Sequence, residues 1–225
     1  MHESIHLTDF ATDAARHILD EGRAAIAERG LFRLALSGGD TPRVIHAAMA
    51  RLAPDFPWGK VQITFGDERC VPPDDKDSNY RMAHESLLSA VPIPEGNIFR
   101  MRGEIDPAVA AREYEAKLAA VAARCGEPRY VHDLLLLGLG PDGHTASIFP
   151  GSPALDETTR NVLPVIGPKP PPQRLTMTFP LINAARSVVF LVKDAGKAQV
   201  VAEVQAADPR HPASRVTSAT WLLGY

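Results

Sequence analysis

The sequence predicts an α/β fold, a single domain built on a mainly parallel sheet flanked by helices. Short apolar runs lead repeatedly into glycine-containing turns and then into segments with helical spacing, the alternation that builds such a sheet. The run Leu134-Leu135-Leu136-Leu137 is apolar without interruption, as expected of a strand covered on both faces. No linker, compositional shift or internal repeat divides the 225 residues, so 1–225 is expected to form one unit.

The first helix is expected at 9–29, where Phe10, Ala14, Ile18, Leu19, Ala25 and Ile26 recur at helical spacing between a Thr8-Asp9 start and a stop at Gly30. A strand follows at 31–36. Next come the turn Ser37-Gly38-Gly39-Asp40-Thr41-Pro42 and a helix at 43–52, with Pro42 suited to the first turn. The same order returns with a strand at 61–65, a polar loop opening on Gly66-Asp67-Glu68-Arg69, and a helix at 78–88. An alanine-rich helix at 106–125 precedes the strand at 133–137, which leads into Gly138-Leu139-Gly140-Pro141-Asp142-Gly143-His144-Thr145. Further strands are expected at 175–179, 187–192 and 220–223, and helices at 180–185 and 196–206. Strand-like sequence flanks Pro168-Lys169-Pro170-Pro171-Pro172, which reads as a rigid surface loop.

Composition narrows the function classes. Hydrophobic residues make up 45% and charged residues 23%, the balance of an ordinary globular chain. Lys+Arg 24 against Asp+Glu 27 gives a net charge of −3, without the one-sided positive charge that nucleic-acid binding requires. The N-terminal stretch lacks the basic cluster and apolar segment of a secretory signal, and the apolar run ending at Leu139 falls far short of the roughly 18–20 residues of a membrane helix. The expectation is a cytoplasmic protein without nucleic-acid or membrane partners, a monomer with an oligomer left open as the alternative. Cys70 and Cys125 are too few for a disulfide framework and lack metal-ligand spacing, so two reduced thiols are expected.

Ligands of open α/β sheets bind beyond the carboxyl ends of the strands, and three unusual loops follow strands here. The Gly38-Gly39-Asp40-Thr41 loop reads either as an anion site at a helix N-terminus or as a tight glycine turn. It lacks the ending of a P-loop and the spacing of a dinucleotide fingerprint. In Gly66-Asp67-Glu68-Arg69, Arg69 offers a planar fork for a phosphate, or the run is a solvated charge cluster. Asp142-Gly143-His144 sets a carboxylate beside a histidine, the composition of a general base near neutral pH, or the histidine is a structural or capping one. The other histidines, including His46, His84 and His211, read as surface or packing residues. Arg174 and Lys197 are cations at the ends of further loops. No serine elbow, His/Cys ligand set or ATP motif is present, which disfavours acyl-serine, metal and kinase chemistry.

Taken together, Ser37-Gly38-Gly39-Asp40-Thr41-Pro42, Gly66-Asp67-Glu68-Arg69-Cys70-Val71-Pro72 with Ser78-Asn79-Tyr80, and Gly138-Leu139-Gly140-Pro141-Asp142-Gly143-His144-Thr145-Ala146-Ser147 resemble the glucosamine-6-phosphate isomerase/6-phosphogluconolactonase family, on its lactonase side. Pro170-Pro171-Pro172-Gln173-Arg174-Leu175-Thr176 and Gly196-Lys197-Ala198 extend the likeness over nearly the whole chain. The deaminase branch shares these motifs but has a glutamate five residues after the histidine, where this chain has Phe149.

The resemblance implies a Rossmann-like, glucosamine-6-phosphate deaminase-like fold and hydrolysis of 6-phospho-D-glucono-1,5-lactone, the second step of the oxidative pentose phosphate pathway, with no metal or organic cofactor. By resemblance His144 is the base and Asp142 orients it. Arg69, Arg174 and Lys197, with Gly38, Gly39, Asp40 and Thr41, would hold phosphate and sugar hydroxyls, and Asp67 and Gly143 join the substrate-binding set. A deaminase-type isomerase and a non-catalytic sugar-phosphate-binding module stand as alternatives.

Overall fold

Alternation along the strands divides the core in two. In the computed structural model, which describes residues 2–225, Leu34, Leu36, Leu134 and Leu136 contribute to one apolar cluster, while Ala35, Leu135 and Leu137 contribute to the other. Successive strand residues face opposite sides, so a strand with no polar alternation must be covered twice. Each leucine so buried contributes about 1.5–3 kcal/mol.

In chain order the strands and α-helices are β1 (His2–His6), α1 (Phe10–Arg29), β2 (Phe32–Leu36), α2 (Asp40–Leu52), β3 (Val61–Phe65), β4 (Asp67–Arg69), α3 (Asn79–Ala83), α4 (Pro107–Arg124), β5 (Leu134–Leu137), β6 (Val162–Ile166), β7 (Gln173–Met177), α5 (Phe179–Ile182), β8 (Ser187–Val192), α6 (Ala198–Gln205) and β9 (Ala219–Leu223). The main sheet runs β1-β9-β8-β5-β2-β3, parallel throughout. A second, antiparallel sheet runs β4-β7-β6. Caps define the long helices: Asp9 accepts from Thr12 N–H ahead of α1, and Asp106 accepts from Val109 N–H ahead of α4, whose first residue is Pro107.

The parallel α/β reading holds, and several local expectations change. The polar stretch after β3, expected as a loop, forms β4, because its backbone pairs with β7 whatever its side chains are. The expected strand at 175–179 lies at Gln173–Met177, since the chain turns into α5 at Phe179. The helix expected at 78–88 is α-helical only through Ala83 and continues as a π-helical turn over His84–Leu88. The helix expected at 196–206 begins as a 3₁₀ turn, Ala195–Lys197, before α6. Strands β1 and β6 add edges that the periodicity does not announce. The proline loop joins β6 to β7. No helix among the described residues is long and apolar enough to cross a membrane. Both cysteines are free, and burial pushes the half-buried Cys70 thiol up to about 11.

Two histidines are fully buried. Ser86 Oγ donates to Met82 O and so accepts from His46 Nδ1, which leaves Nε2 without a partner in an apolar setting. His132 Nε2 bonds Thr64 Oγ1, and its Nδ1 is likewise unpartnered. Burial pushes His46 down to about 4; burial and then the charge of Arg33 push His132 down to about 3.

A folded-state value below the unfolded one means that the unfolded chain takes up protons which the folded chain refuses. Stability is therefore complete above pH 6.5 and is lost as pH falls towards 4, at about 1.4 kcal/mol per pH unit for each histidine. Thermal melts between pH 7 and 5 should show Tm falling with pH. His132→Gln, whose amide reaches Thr64 without titrating, should make that slope shallower, and an unchanged slope would exclude His132 as a source.

Candidate active site

Strands β2 and β5 lie side by side, yet the sheet continues from β2 to β3 on one side and from β5 to β8 on the other. The loops leaving their carboxyl ends diverge and open a crevice, the usual ligand position in such sheets. A cleft of about 360 Å³ lies there, lined by Gly38, Gly39, Asp40, Thr41, Asp67, Arg69, His144, Arg174 and Lys197. Asp142 lines an adjoining hollow of about 310 Å³ that shares Arg69, His144 and Arg174. Gly143 lines neither and acts through its backbone.

The loop after β5 is built to aim one imidazole. Gly143 adopts φ +74°, a conformation that favours glycine, and its N–H bonds Gly140 O at 3.0 Å. Gly140 N–H in turn donates to His144 O at 2.8 Å. A Cβ on Gly140 would lie 2.0 Å from His144 Nδ1, so the ring can rest there only over a glycine. Asp142 Oδ1 accepts from His144 Nδ1 at 2.5 Å and from its backbone N–H at 3.2 Å. Partial burial raises the Asp142 carboxyl, but the bonds from His144 outweigh it and hold the group below the ordinary carboxylate value. With Nδ1 donating to a carboxylate, Nε2 of the neutral ring is the basic nitrogen.

The second element of the site is cationic. In the β4–β7 pair Arg69 stands directly opposite Arg174. Like charges at such a position repel. Burial and then Arg69 push the Arg174 guanidinium below its ordinary value. Arg69 spends one nitrogen on Asp77 O at 2.6 Å, while its buried Nε has no partner among the described residues. Nearby, Gly39 caps α2 without a side-chain hydrogen bond, so the first-turn N–H groups at the cleft wall lack intrahelical acceptors and carry the positive end of the helix dipole. A basic imidazole beside paired cations suits water-assisted attack on an anionic substrate.

Residues 6–223 match the family described as glucosamine-6-phosphate isomerases/6-phosphogluconolactonase. The chain belongs to this family. It is 48% identical over 206 residues to a 6-phosphogluconolactonase of Synechocystis, covering 88% of this chain and 84% of that one. It is 39% identical to a probable chloroplastic 6-phosphogluconolactonase of Oryza sativa, covering 86% of this chain and 62% of the longer plant chain. The solved structure of 6-phosphogluconolactonase from Thermotoga maritima superposes with a TM-score of 0.89 at 28% identity, covering 100% of both chains.

Within the glucosamine-6-phosphate isomerase/6-phosphogluconolactonase family, position 149 separates the two motif patterns, and here Phe149 packs against the His144 ring with centroids 4.5 Å apart. An aromatic ring therefore covers one side of the imidazole where the deaminase pattern has a carboxylate.

The acidic pair 67–68, ambiguous in the sequence, resolves through strand alternation. Asp67 belongs to the cleft, its Oδ2 accepting from Ser147 Oγ at 2.6 Å and its Oδ1 from Asn79 Nδ2 at 3.1 Å. Glu68 is buried and accepts the backbone N–H groups of Arg69, Asn79 and Tyr80 and the Ser78 hydroxyl. Burial still leaves its carboxyl above the ordinary value, with these N–H groups opposing the rise. Its role joins β4 to the start of α3, and no local motif announces it. Lys197 Nζ donates to Leu139 O at 2.6 Å, tying the start of α6 to the loop after β5. Lys169, not singled out in the sequence, lines the adjoining hollow beside Arg69 and Arg174.

Every contact of Glu68 comes from a donor, so Glu68→Gln would turn an amide N–H₂ towards at least one of them. The unmade bonds should cost about 2 kcal/mol, a fall in Tm of about 4–8 °C for a chain of this size. Differential scanning calorimetry checks this, and a Tm within 1 °C or so of the wild type would contradict the assigned role.

Proposed function

We propose that this chain hydrolyses 6-phospho-D-glucono-1,5-lactone to 6-phospho-D-gluconate, the second step of the oxidative pentose phosphate pathway. The observation that carries this reading is the carboxylate-held imidazole of His144 at a cleft that also presents the opposed pair Arg69 and Arg174. The naming of similar proteins as 6-phosphogluconolactonases supports it.

In the reaction, the phosphate dianion is held by Arg69 and Arg174, whose mutual repulsion it relieves. Lys197 and the backbone of Gly38, Gly39, Asp40 and Thr41 hold the remaining substrate oxygens, and Asp67 shapes the floor. His144 Nε2 takes a proton from water as the water oxygen bonds the lactone carbonyl carbon. Asp142 keeps Nδ1 protonated and stabilises the imidazolium that results. The tetrahedral oxyanion then collapses, the bond between C1 and the ring oxygen breaks, and the imidazolium returns its proton to that oxygen. The product is a carboxylic acid, which ionises, and a free hydroxyl. Holding the phosphate remote from the reacting carbon restricts the ring to an attack-ready pose.

Acid release from freshly prepared lactone at neutral pH should exceed the spontaneous rate, and His144→Ala should lose about 10²–10⁴-fold in kcat while still binding 6-phosphogluconate. Ammonia from glucosamine 6-phosphate without acceleration of lactone opening would sink the assignment.

A second comparison locates the phosphate. Arg69→Ala and Arg174→Ala should each lower kcat/KM by about ten- to a hundredfold, the equivalent of a charge-assisted hydrogen bond. On gluconolactone without its phosphate the same variants should match the wild type. Equal losses on both lactones would move the phosphate away from the arginine pair.

A further inference from the structure

The sequence reads His211 as a surface or packing residue, and the structure sets it behind the turn that carries His144. Its side chain retains only 12% of its exposure. The ring lies so close to Gly143 that a Cβ there would meet His211 Nδ1 at 2.3 Å and its Cβ at 2.5 Å. His211 Nδ1 lies 3.3 Å from Asp142 O, and Nε2 lies 2.6 Å from Glu203 Oε2. The carbonyl and the carboxylate are both acceptors, and they face the two ring nitrogens from opposite sides. Two residues on, Ala213 N–H donates to Gly143 O at 2.9 Å. The segment 211–213 thus takes up the carbonyls of both residues that precede His144.

Glu203, in α6, anchors this arrangement. Its other oxygen accepts from Gln199 at 2.9 Å, and the bonds from Gln199 and His211 hold its carboxyl below the ordinary value. Asp208 completes a trio of ligand-type side chains here, but Arg210 lies 2.6 Å from Asp208 and 3.8 Å from Glu203, so a guanidinium already neutralises these acids. The cluster reads as a strut and not as a cation site. The same α6 starts beside Lys197, which grips Leu139 O at the opposite end of the loop after β5.

We propose that His211 is a positioning residue for the lactonase reaction: bridging Glu203 and the Asp142 carbonyl, it fixes the left-handed turn at Gly143 and thereby the aim of His144. The inference rests on His144 as the base in the reading above. A shift of the imidazole by a fraction of an ångström lowers the rate of attack without removing any group that binds substrate.

Two amides separate the two bonds. The side-chain nitrogen of asparagine reaches the place of Nδ1, and that of glutamine reaches the place of Nε2. His211→Ala should lower kcat by about ten- to a hundredfold with KM within about twofold of the wild type. His211→Asn should restore kcat to within about threefold, while His211→Gln should stay near the alanine level. In a His144→Ala background, His211→Ala should cost nothing further, because a residue acting through the base has nothing left to act on. Wild-type kcat in His211→Ala, equal rescue by both amides, or a full additional loss in the double variant would each overturn the proposal.

Proton NMR of the imidazole N–H region supplies a reading independent of turnover. The signal of the His144 Nδ1 proton, identified by its loss in His144→Ala, should broaden or shift in His211→Ala and return in His211→Asn. An unmoved signal would also overturn the proposal. A wild type that opens no lactone would defeat the functional reading, while this signal would still decide whether His211 positions His144.

Discussion

At Gly66 the main chain passes from one sheet to the other, and its two hydrogen-bonding groups go separate ways. Its N–H donates to Leu36 O in the parallel sheet at 2.9 Å, and its carbonyl accepts from Met177 N–H in the antiparallel sheet at 2.8 Å. Backbone groups buried at such a junction must be paired, so these bonds fix the small sheet to the end of the large one. The arginine pair of the cleft follows from that junction. β4 begins one residue later, and its register with β7 sets Arg69 opposite Arg174 above the carboxyl ends of β2 and β5.

Three carboxylates close to the cleft differ in what their donors leave them free to do. Glu68 is saturated by backbone N–H groups and a hydroxyl, which makes it a structural joint. Asp67 is bound on both oxygens by Ser147 and Asn79 and presents a fixed polar floor. Asp142 is committed to a single histidine, through its ring and its backbone N–H. These three acids thus differ by their donors and not by residue type, and Asp142 alone of them is paired with an imidazole.

The parallel sheet was legible because four leucines in a row admit few alternatives to a doubly covered strand, and the loops after β2 and β5 announced themselves by glycine and charge. The short strand Asp67–Arg69 was not, since polar side chains say nothing about a backbone whose partner lies about a hundred residues away. β1, with His2, Glu3, Ser4 and His6, and β6, with Pro164, are edge strands that need no apolar pattern. Asp142 and His144 could be paired from the sequence because they are neighbours within one turn. His211 could not, because the carbonyl it holds belongs to a residue 69 positions earlier. Local chemistry is written locally, whereas the scaffolding that orients it depends on topology.

The opposed arginines carry a consequence for the molecule at rest. Folding brings two like charges together here, one of them largely removed from water. On the proposed reading, a dianion held between them would add to stability, by about 2.7 kcal/mol at a hundred times its Kd. Replacing either arginine would lift that repulsion but leave without a donor the carbonyls it holds, Asp77 O for Arg69 and Pro171 O and Lys169 O for Arg174.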